Sequence, residues 1–465
     1  MRTRTNLQCE LDFHPSNLKL TNEYYTRYDA VSNILDQNPK VLDLVHKDLQ
    51  EALEAEASND YGGGTFRYTS DNVLRIAICQ IIEGWSLRET VIRVDDSHFL
   101  RRFVRIWSGP MMDYTTLCRL KNSIRHQTWK KANSVLARYA VDMSLIEGHQ
   151  LRMDTTAVET NIHYPTDSSL LWDTYRVLAR LIKHARDIFS ICVGDRRLHM
   201  RRVKRIYTQI SRKASKKPES QEAIRPVYER LIGHATHICE WADDVCNIGK
   251  QRCPGQLWIY LEPVLVEITR YRQLGLRVID QAARRVLDGE RVPNDEKLFS
   301  IFEPHTELLK RGKAAKPVEF GHMIHIQQVK EKFITNYDVF DKKPNETSLV
   351  EPALNRHRKL FGHDPESIAA DKGYYADMHT IHQLGKKVHI VSIAKKGKRT
   401  EVEAARESDP DFRFAQRFRA GVEGTISYLK RVLGLFRCVN KGWKHFTATV
   451  GAAIFTHNIF ILARQ

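Results

Sequence analysis

Residues 150–154 read QLRMD, and at this stretch the chain changes from a helical to an alternating pattern. Leu151 and Met153 lie two positions apart, so they share one face of a predicted strand that ends at Asp154. Downstream, VEFGHMIHIQQ (318–328) and KFITNYDVF (332–340) alternate in the same way and are rich in β-formers. The three segments predict three strands, the first separated from the others by a long insert.

The rest of the C-terminal half predicts helices and strands in turn. The expected segments are a helix over 347–360, a strand over 367–370, a helix near 377–384, a strand over 388–393 and a long helix over about 412–433. The order βββαβαβα is typical of an α/β domain in which helices cover a sheet. We therefore predict an α/β domain over 145–465. Its large helical insertion is expected at about 166–300, where Leu257–Leu287 forms one long helix or two.

Residues 1–140 predict an all-α N-terminal domain. Apolar residues recur at helical spacing in 41–57 and in 72–83, with Thr69, Ser70 and Asp71 as cap candidates for the second helix. Ser86 is placed to cap the next one. Short helices joined by tight turns and carrying arginines are typical of DNA-binding bundles. An ordinary helical subdomain with surface arginines is the alternative.

The composition indicates a globular protein with a polyanionic partner. Of the 465 residues 42% are hydrophobic, and the net charge is +17. So basic a chain is expected to bind nucleic acid, an anionic membrane or an acidic protein, and we favour nucleic acid over a merely basic housekeeping protein. Eight scattered cysteines without C-x-x-C spacing, and no signal peptide, predict a protein of a reducing cytoplasm. The apolar stretch 451–463 is too short to span a bilayer, so no membrane partner is expected.

Three acidic residues stand where their side chains can converge. Asp154 and Asp371 follow predicted strands, and strand ends open into the cleft where α/β proteins bind ligands. Glu423 lies in the last long helix. Carboxylates about 4 Å apart repel by on the order of 4 kcal/mol at an effective dielectric of 20, so such a cluster needs protons or cations. Oxygen ligands favour two Mg²⁺ or Mn²⁺ ions, which suit phosphodiester chemistry. Taken singly, an Asp after a strand is more often a turn former or a helix cap.

The long helix places Glu423 on a polar stripe at the edge of a core. Gln416, Arg419 and Lys430 share this stripe, because they repeat at helical spacing. An adjoining apolar stripe comprises Phe414, Phe418, Val422, Leu429 and Leu433. Arg419 and Lys430 are predicted to contact phosphates beside the metal ions. A plain i,i+4 salt bridge between Arg419 and Glu423 is the alternative.

These motifs resemble a large group of bacterial insertion-sequence DDE transposases. The spacing R-x3-E-x6-K, filled by Arg419, Glu423 and Lys430, resembles their signature, although the family's tyrosine is replaced here by Gln416. The sequences DTT at 154–156 and ADKGY at 370–374 are also similar to the family. The segments IFEPHTELLKRGKAAKPVEFGH and TNIHYPTDSSLLWD resemble the ISNCY-like group.

The resemblance implies an RNase H-like catalytic domain and a transposition mechanism. Asp154, Asp371 and Glu423 are then the catalytic residues and ligands of two Mg²⁺ or Mn²⁺ ions. Water attack frees a 3′-hydroxyl at each element end, and that hydroxyl attacks target DNA without a covalent protein intermediate. The partners implied are double-stranded DNA and further copies of the chain, in a homodimer or higher assembly. The alternatives are an RNase H-like nuclease or resolvase that does not join DNA, and an inactive element-derived DNA-binding protein.

Basic residues cluster in two further places. Residues 196–217 hold ten Lys or Arg and no acid, which favours contact with a DNA backbone over a flexible basic linker. Lys372, beside the second acid, and the loop residues Lys395 and Lys396 complete the predicted DNA-binding set. Its members in the basic segment are Arg201, Arg202, Lys204, Arg205, Arg212 and Lys213.

The sequence leaves undecided whether the insert contains a zinc site. The candidates are His234, His237, Cys239, Cys246 and Cys253, whose spacing matches no common ligand pattern. A position in a helical core is the favoured alternative for these residues.

Overall fold

The structure is a computed structural model that describes residue 4 and residues 18–57, 68–107, 109–213, 218–310 and 317–464. The chain divides into two compact units. The first unit comprises Met1–Thr160 and His322–Gln465, and the second comprises Asn161–Gly321. The predicted helical insert, about 166–300, lies within the limits of the second unit.

The N-terminal part of the first unit is helical. Its described helices are α1 (Lys19–Gln37), α2 (Pro39–Ala57), α3 (Ser70–Glu83), α4 (Leu87–Asp96), α5 (His98–Val104), α6 (Tyr114–Ser123) and α7 (His126–Asp142). Thr69 caps α3 by accepting a hydrogen bond from the Asn72 amide, and Ser86 caps α4 in the same way. Both predicted caps are therefore confirmed, because a hydroxyl at this position satisfies an otherwise unpaired amide of the first turn.

The first strand, β1 (Gln150–Thr160), is longer than predicted. The expectation that it ends at Asp154 is wrong. Thr155, Thr156 and Val158 are β-branched and favour extended backbone, so the strand continues past Asp154. Asp154 consequently lies inside a strand.

The second unit is a bundle of long helices. Its elements are α8 (Asp167–Ile188), α9 (Met200–Lys213), α10 (Pro218–Arg252), α11 (Gly255–Val286) and the short strand β2 (Glu307–Lys310). The sequence predicts one long helix or two over 257–287, and residues 257–286 belong to the single helix α11. The expectation of helix throughout the insert is wrong after α11, because residues 287–300 form turns and irregular backbone.

A mixed sheet forms the centre of the α/β part. The remaining strands are β3 (Val318–Val329), β4 (Ile334–Val339), β5 (Ser367–Ala370), β6 (Ile390–Ile393) and β7 (Arg437–Cys438). The strand order in the first unit is β3-β1-β5-β6, with β4 paired to β3 and β7 paired to β1. β5 runs parallel to both β1 and β6. In the second unit, β2 pairs antiparallel with the first residues of β3.

The strands predicted after the insert are confirmed with small changes at their ends, and two short strands were missed. β2 has four residues and β7 has two. Segments this short contain too little alternation to be recognised from the sequence.

Helices cover the sheet on both faces. They are α12 (Val350–Phe361), α13 (Met378–Gly385), α14 (Glu401–Ser408), α15 (Pro410–Arg431) and α16 (Trp443–Leu462). Leu151 and Met153 pack on one face with Leu354 of α12, as the alternation predicts. Val158 packs on the other face with Leu429 of α15. The predicted apolar stripe of α15 is wrong at Phe414, whose side chain is 54% exposed.

The last helix is an internal helix of the first unit. α16 is long and apolar enough by composition to cross a membrane, and 78% of its most apolar 18-residue window is buried inside the protein. It shares a hydrophobic core with the N-terminal helices, where the rings of Trp129 and Phe455 lie 5.5 Å apart. The side chain of Asn458 bonds both backbone polar groups of Ile334 in β4. These contacts join the N-terminal helices, the last helix and the sheet.

Candidate active site and nucleic-acid interface

The sheet brings the first two predicted acids to neighbouring positions. β1 pairs in parallel with β5 through Arg152 and Ala369. Asp154 is two residues after Arg152, and Asp371 is two residues after Ala369, so the same register places the two acids side by side. The ladder between the two strands stops just before these acids, so their side chains lie where the strands begin to separate. Asp371 also caps the 3₁₀ turn Lys372–Tyr374 and accepts a hydrogen bond of 2.7 Å from the Lys372 amide.

Asp154 is the more buried of the two acids. Its side chain is 17% exposed, and one oxygen accepts a hydrogen bond of 2.7 Å from the Thr155 amide. Burial raises the pKa of Asp154 to about 6, and the nearby carboxylates of Asp371 and Glu346 act in the same direction. The Thr155 amide and the positive charge of Arg419 oppose this rise. The rise in the pKa of Asp154 is therefore caused first by burial and then by the neighbouring negative charges.

α15 is held over the sheet by polar contacts. Gln416 donates a hydrogen bond of 2.7 Å to the carbonyl of Ser392, at β6. Arg152 of β1 donates 2.8 Å hydrogen bonds to the Phe418 carbonyl of α15 and to the side chain of Gln328 in β3. Because Gly421 has no side chain, α15 can approach the guanidinium of Arg152, which a methyl group at this position would overlap. These contacts set the position of Arg419 and Glu423.

Arg419 stands between two of the predicted catalytic acids. Its Nη1 lies 3.7 Å from Oδ2 of Asp154, and its Nη2 lies 3.0 Å from Oε1 of Glu423. The salt bridge between Arg419 and Glu423, which the sequence offered as the alternative to phosphate contact, is therefore present in the structure. Glu423 is 64% exposed. The arginine therefore occupies the space between Asp154 and Glu423, and it neutralises part of their charge.

The three predicted ligands do not enclose a metal ion in this arrangement. Within the described part of the chain, no three Asp, Glu, His or Cys side chains are grouped closely enough to hold one. The donor set nevertheless fits Mg²⁺ or Mn²⁺, since all three groups are carboxylates and Asp154 and Asp371 are neighbours. Glu423 would join them by exchanging its contact with Arg419 for the metal. An exposed side chain at a helix surface makes that exchange with little change in packing.

A further acid beside Asp154 was not predicted. Glu346, in the 3₁₀ turn Glu346–Leu349, accepts a hydrogen bond from the hydroxyl of Thr155. Its other oxygen lies against Gly373, where a methyl group would overlap it. No local pattern distinguishes this glutamate from other acids of the sequence, because its contacts are with residues distant in the chain.

The predicted DNA-binding lysines near the acids differ in their surroundings. Lys372 is exposed next to Asp371, and Lys396 is exposed in the loop after β6. Lys395 forms a 2.8 Å ion pair with the buried carboxylate of Glu403. Lys430 is half-buried and is the second-to-last residue of α15. Lys372 and Lys396 are consequently the most accessible of the four.

The second unit carries a strongly basic helix face on α9. Val203, Ile206 and Ile210 are buried in the bundle core. The basic residues of the helix are exposed, and all of them except Arg202 border an open cavity of about 620 Å³. Among the described residues, no acidic side chain forms an ion pair with Arg201, Arg202, Lys204, Arg205 or Arg212. Residues 214–217, the end of the predicted basic segment, lie outside the described residues.

The candidate zinc ligands belong to the helical bundle. Cys239 and Cys246 are buried in its hydrophobic core, and burial raises the pKa of the Cys239 thiol to about 12. His234 packs edge-on against Tyr175, and His237 lies 4.0 Å from Glu240. These side chains are not grouped closely enough to form a zinc site, and no other group of His, Cys, Asp or Glu in the described part of the chain is.

Comparison with known proteins gives one match. Residues 286–459 match the family model described as the transposase DDE domain. No curated protein and no solved structure matches the chain. The matched segment includes Asp371, Arg419, Glu423 and Lys430, and it excludes Asp154 and α9. The match supports a DDE transposase, a class that generally uses divalent metal ions and acts on DNA.

Proposed function

We propose that this protein is an insertion-sequence transposase that cuts DNA at the ends of its element and joins the freed ends to target DNA. Asp154, Asp371 and Glu423 are its catalytic carboxylates, and its α/β domain is RNase H-like. The observation that carries the proposal is the meeting of Asp154 and Asp371 at neighbouring strand positions, with Arg419 and Glu423 on the helix above them.

The arrangement of the acids suits phosphodiester chemistry. Two Mg²⁺ or Mn²⁺ ions held by Asp154, Asp371 and Glu423 would activate the attacking oxygen and stabilise the leaving one. Asp154, fixed by the Thr155 amide in the interior of β1, supplies a rigid ligand direction. Arg419 would contact the DNA phosphate once the charge of the two acids is neutralised by the cations.

The reaction proceeds in two displacements. Water attacks the phosphodiester at the element end, and the bond that breaks releases a 3′-hydroxyl. This hydroxyl then attacks a phosphodiester of the target strand, which releases another 3′-hydroxyl there. Each step exchanges one ester bond for another or for a hydroxyl, so no covalent intermediate with the protein is needed.

DNA contacts outside the site are assigned to three surfaces. The helices α1–α7 form the proposed DNA-binding part of the N-terminal region. Lys372, Lys395, Lys396 and Lys430 accompany the phosphates near the acids. The exposed cations of α9 hold a more distant stretch of backbone: Arg201, Arg202, Lys204, Arg205, Arg212 and Lys213. The enzyme acts in the bacterial cytoplasm on nucleoid DNA, as a homodimer or higher assembly on paired ends.

A cleavage and joining assay tests this function. The substrate is an oligonucleotide with the element end found in DNA flanking the gene, incubated with Mg²⁺ or Mn²⁺ and either wild type or Glu423→Ala. Metal-dependent cleavage and joining are expected for the wild type and are lost in the variant. Glu401→Ala, an exposed acid of α14, is the matched control that retains both steps.

Two outcomes would contradict the proposal. Cleavage without joining, on a verified end sequence, would indicate a nuclease or resolvase. Tight binding without any cleavage would indicate an element-derived DNA-binding protein.

A further inference from the structure

Glu346 contacts both the strand that carries Asp154 and the turn that follows Asp371. We propose that Glu346 is a positioning residue: its carboxylate fixes the separation of Asp154 and Asp371, and thereby the affinity of the site for divalent cations. The inference rests on the proposed function of these acids. It assigns to Glu346 no direct contact with metal or DNA.

One carboxylate oxygen of Glu346 contacts Thr155, the residue that follows Asp154. The hydroxyl of Thr155 donates a hydrogen bond to Oε1 of Glu346. Thr155 is buried, and its amide donates to Oδ1 of Asp154. Displacement of the Thr155 side chain therefore moves the amide that orients Asp154.

The other carboxylate oxygen of Glu346 contacts the turn that Asp371 caps. Oε2 of Glu346 occupies the place that a Cβ atom of residue 373 would take, so a side chain in place of Gly373 would overlap the carboxylate. Gly373 is two residues after Asp371, in the 3₁₀ turn that Asp371 caps. Tyr374, the last residue of this turn, is 2% exposed, so the turn cannot shift away without disturbing the core. The carboxylate thus contacts the residue after Asp154 and the turn that Asp371 caps.

Residues that hold metal ligands in place raise the affinity of a site for its metal ion. Loss of such a supporting contact typically weakens metal binding by about 10- to 100-fold, because the ligands no longer start from the bound geometry. A glutamine at 346 retains an oxygen that can accept the Thr155 hydrogen bond and retains nearly the same volume. Alanine retains neither. The two substitutions therefore separate positioning from direct ligation.

The test is Mn²⁺ binding to the full-length protein without DNA, followed by the electron paramagnetic resonance signal of free Mn²⁺. Glu346→Ala is expected to weaken binding by about 10- to 100-fold, and Glu346→Gln by no more than about threefold. Thr155→Val, which removes the donor, should weaken binding in the same direction as Glu346→Ala. Thr155→Ser, which retains the hydroxyl, is its matched control. Circular dichroism verifies that each variant is folded.

A double-mutant cycle decides the mechanism of the effect. Glu346→Ala combined with Thr155→Val should weaken binding by clearly less than the product of the single effects, because both variants break one hydrogen bond. Wild-type affinity in folded Glu346→Ala would overturn the proposal. So would a loss in Glu346→Gln as large as in Glu346→Ala, since that result would make Glu346 a ligand.

A separate control distinguishes this inference from the proposed function. Asp154→Ala and Asp371→Ala should each abolish the Mn²⁺ binding that Glu346→Ala weakens. If both retain wild-type Mn²⁺ binding, the proposed metal site is wrong and the positioning role falls with it. If both lose it and Glu346→Ala does not, only the positioning role is wrong.

Discussion

Arg419 connects two of the proposed catalytic acids. Its guanidinium bridges Asp154 and Glu423, with nitrogen–oxygen distances of 3.7 and 3.0 Å. Asp154, whose side chain is 17% exposed, would otherwise hold an uncompensated charge largely away from water. In the proposed reaction the same guanidinium would contact a phosphate instead. The salt bridge and the catalytic role are therefore compatible, although the sequence presents them as alternatives.

His457 offers a test of burial at the scale of a residue. It lies within α16, and its Nε2 is 3.0 Å from the carbonyl oxygen of Lys332. Burial lowers the pKa of His457 to about 4, and the charges of Arg464 and Lys332 act in the same direction. The unfolded chain, with a histidine pKa near 6.5, binds the proton more readily. The contribution of neutral, buried His457 to the free energy of unfolding is therefore fully present above about pH 6.5. It is lost progressively as the pH falls toward 4.

We predict that acidification from pH 7 to pH 5 costs about 2 kcal/mol of unfolding free energy through His457. The measurement is urea denaturation of the wild type and of His457→Gln at both pH values. The variant is less stable at pH 7 but should lose less on acidification. Equal losses in the two proteins would show that His457 is not the group responsible.

At the scale of the element, α15 depends on one of its two glycines for its distance from the sheet. Gly421 faces the guanidinium of Arg152, whose position is fixed by hydrogen bonds to Phe418 and Gln328. Gly424, in the same helix, has no atom within 4 Å of the place that a side chain would occupy. The two positions thus differ in their surroundings and share their secondary structure.

Gly421→Ala is expected to destabilise the protein by about 1–3 kcal/mol, because Arg152 or the helix must move. Gly424→Ala should instead stabilise it by about 0.5–1 kcal/mol, since alanine is the better helix former. Chemical denaturation of both variants beside the wild type provides the comparison. Destabilisation by both to the same degree would mean that the close approach of α15 and Arg152 is not the cause.

At the scale of the whole molecule, the excess of positive charge is unevenly distributed. The chain has a net charge of +17, and the described part of α9 exposes six cations on one short helix. Self-repulsion of such a face is relieved when phosphates displace small counterions. The second unit is therefore expected to supply a distinct part of the salt dependence of DNA binding.

The double variant Arg201→Gln, Arg205→Gln tests this contribution. If each arginine neutralises one phosphate, the slope of log affinity against log salt concentration should fall by about 1.8. Fluorescence anisotropy with labelled duplex DNA at several salt concentrations measures the slope. Lys250→Gln, an exposed cation of α10 in the same unit, is the control and should change it little. An unchanged slope in the double variant would remove α9 from the DNA interface.

The sequence by itself determined the elements and the overall charge of this protein. The alternation of residues 318–328 and the helical spacing of residues 72–83 are local properties, set by backbone geometry, so the strand and the helix could be predicted directly. Capping by Thr69 and Ser86 is local for the same reason. Segments as short as β7 and the irregular residues after α11 have no such periodicity, and the sequence did not reveal them.

Only the tertiary structure decided what surrounds the acids. Thr155 and Glu346 are 191 positions apart in the chain, and their hydrogen bond depends on how the turn before α12 packs against β1. The bridge from Arg419 to Asp154 likewise requires α15 to lie over the sheet. Such contacts depend on packing between distant segments, which leaves no periodic trace in the sequence. The neighbouring positions of Asp154 and Asp371 could therefore be predicted, whereas the place of Arg419 between Asp154 and Glu423 and the contact of Glu346 with Thr155 could not.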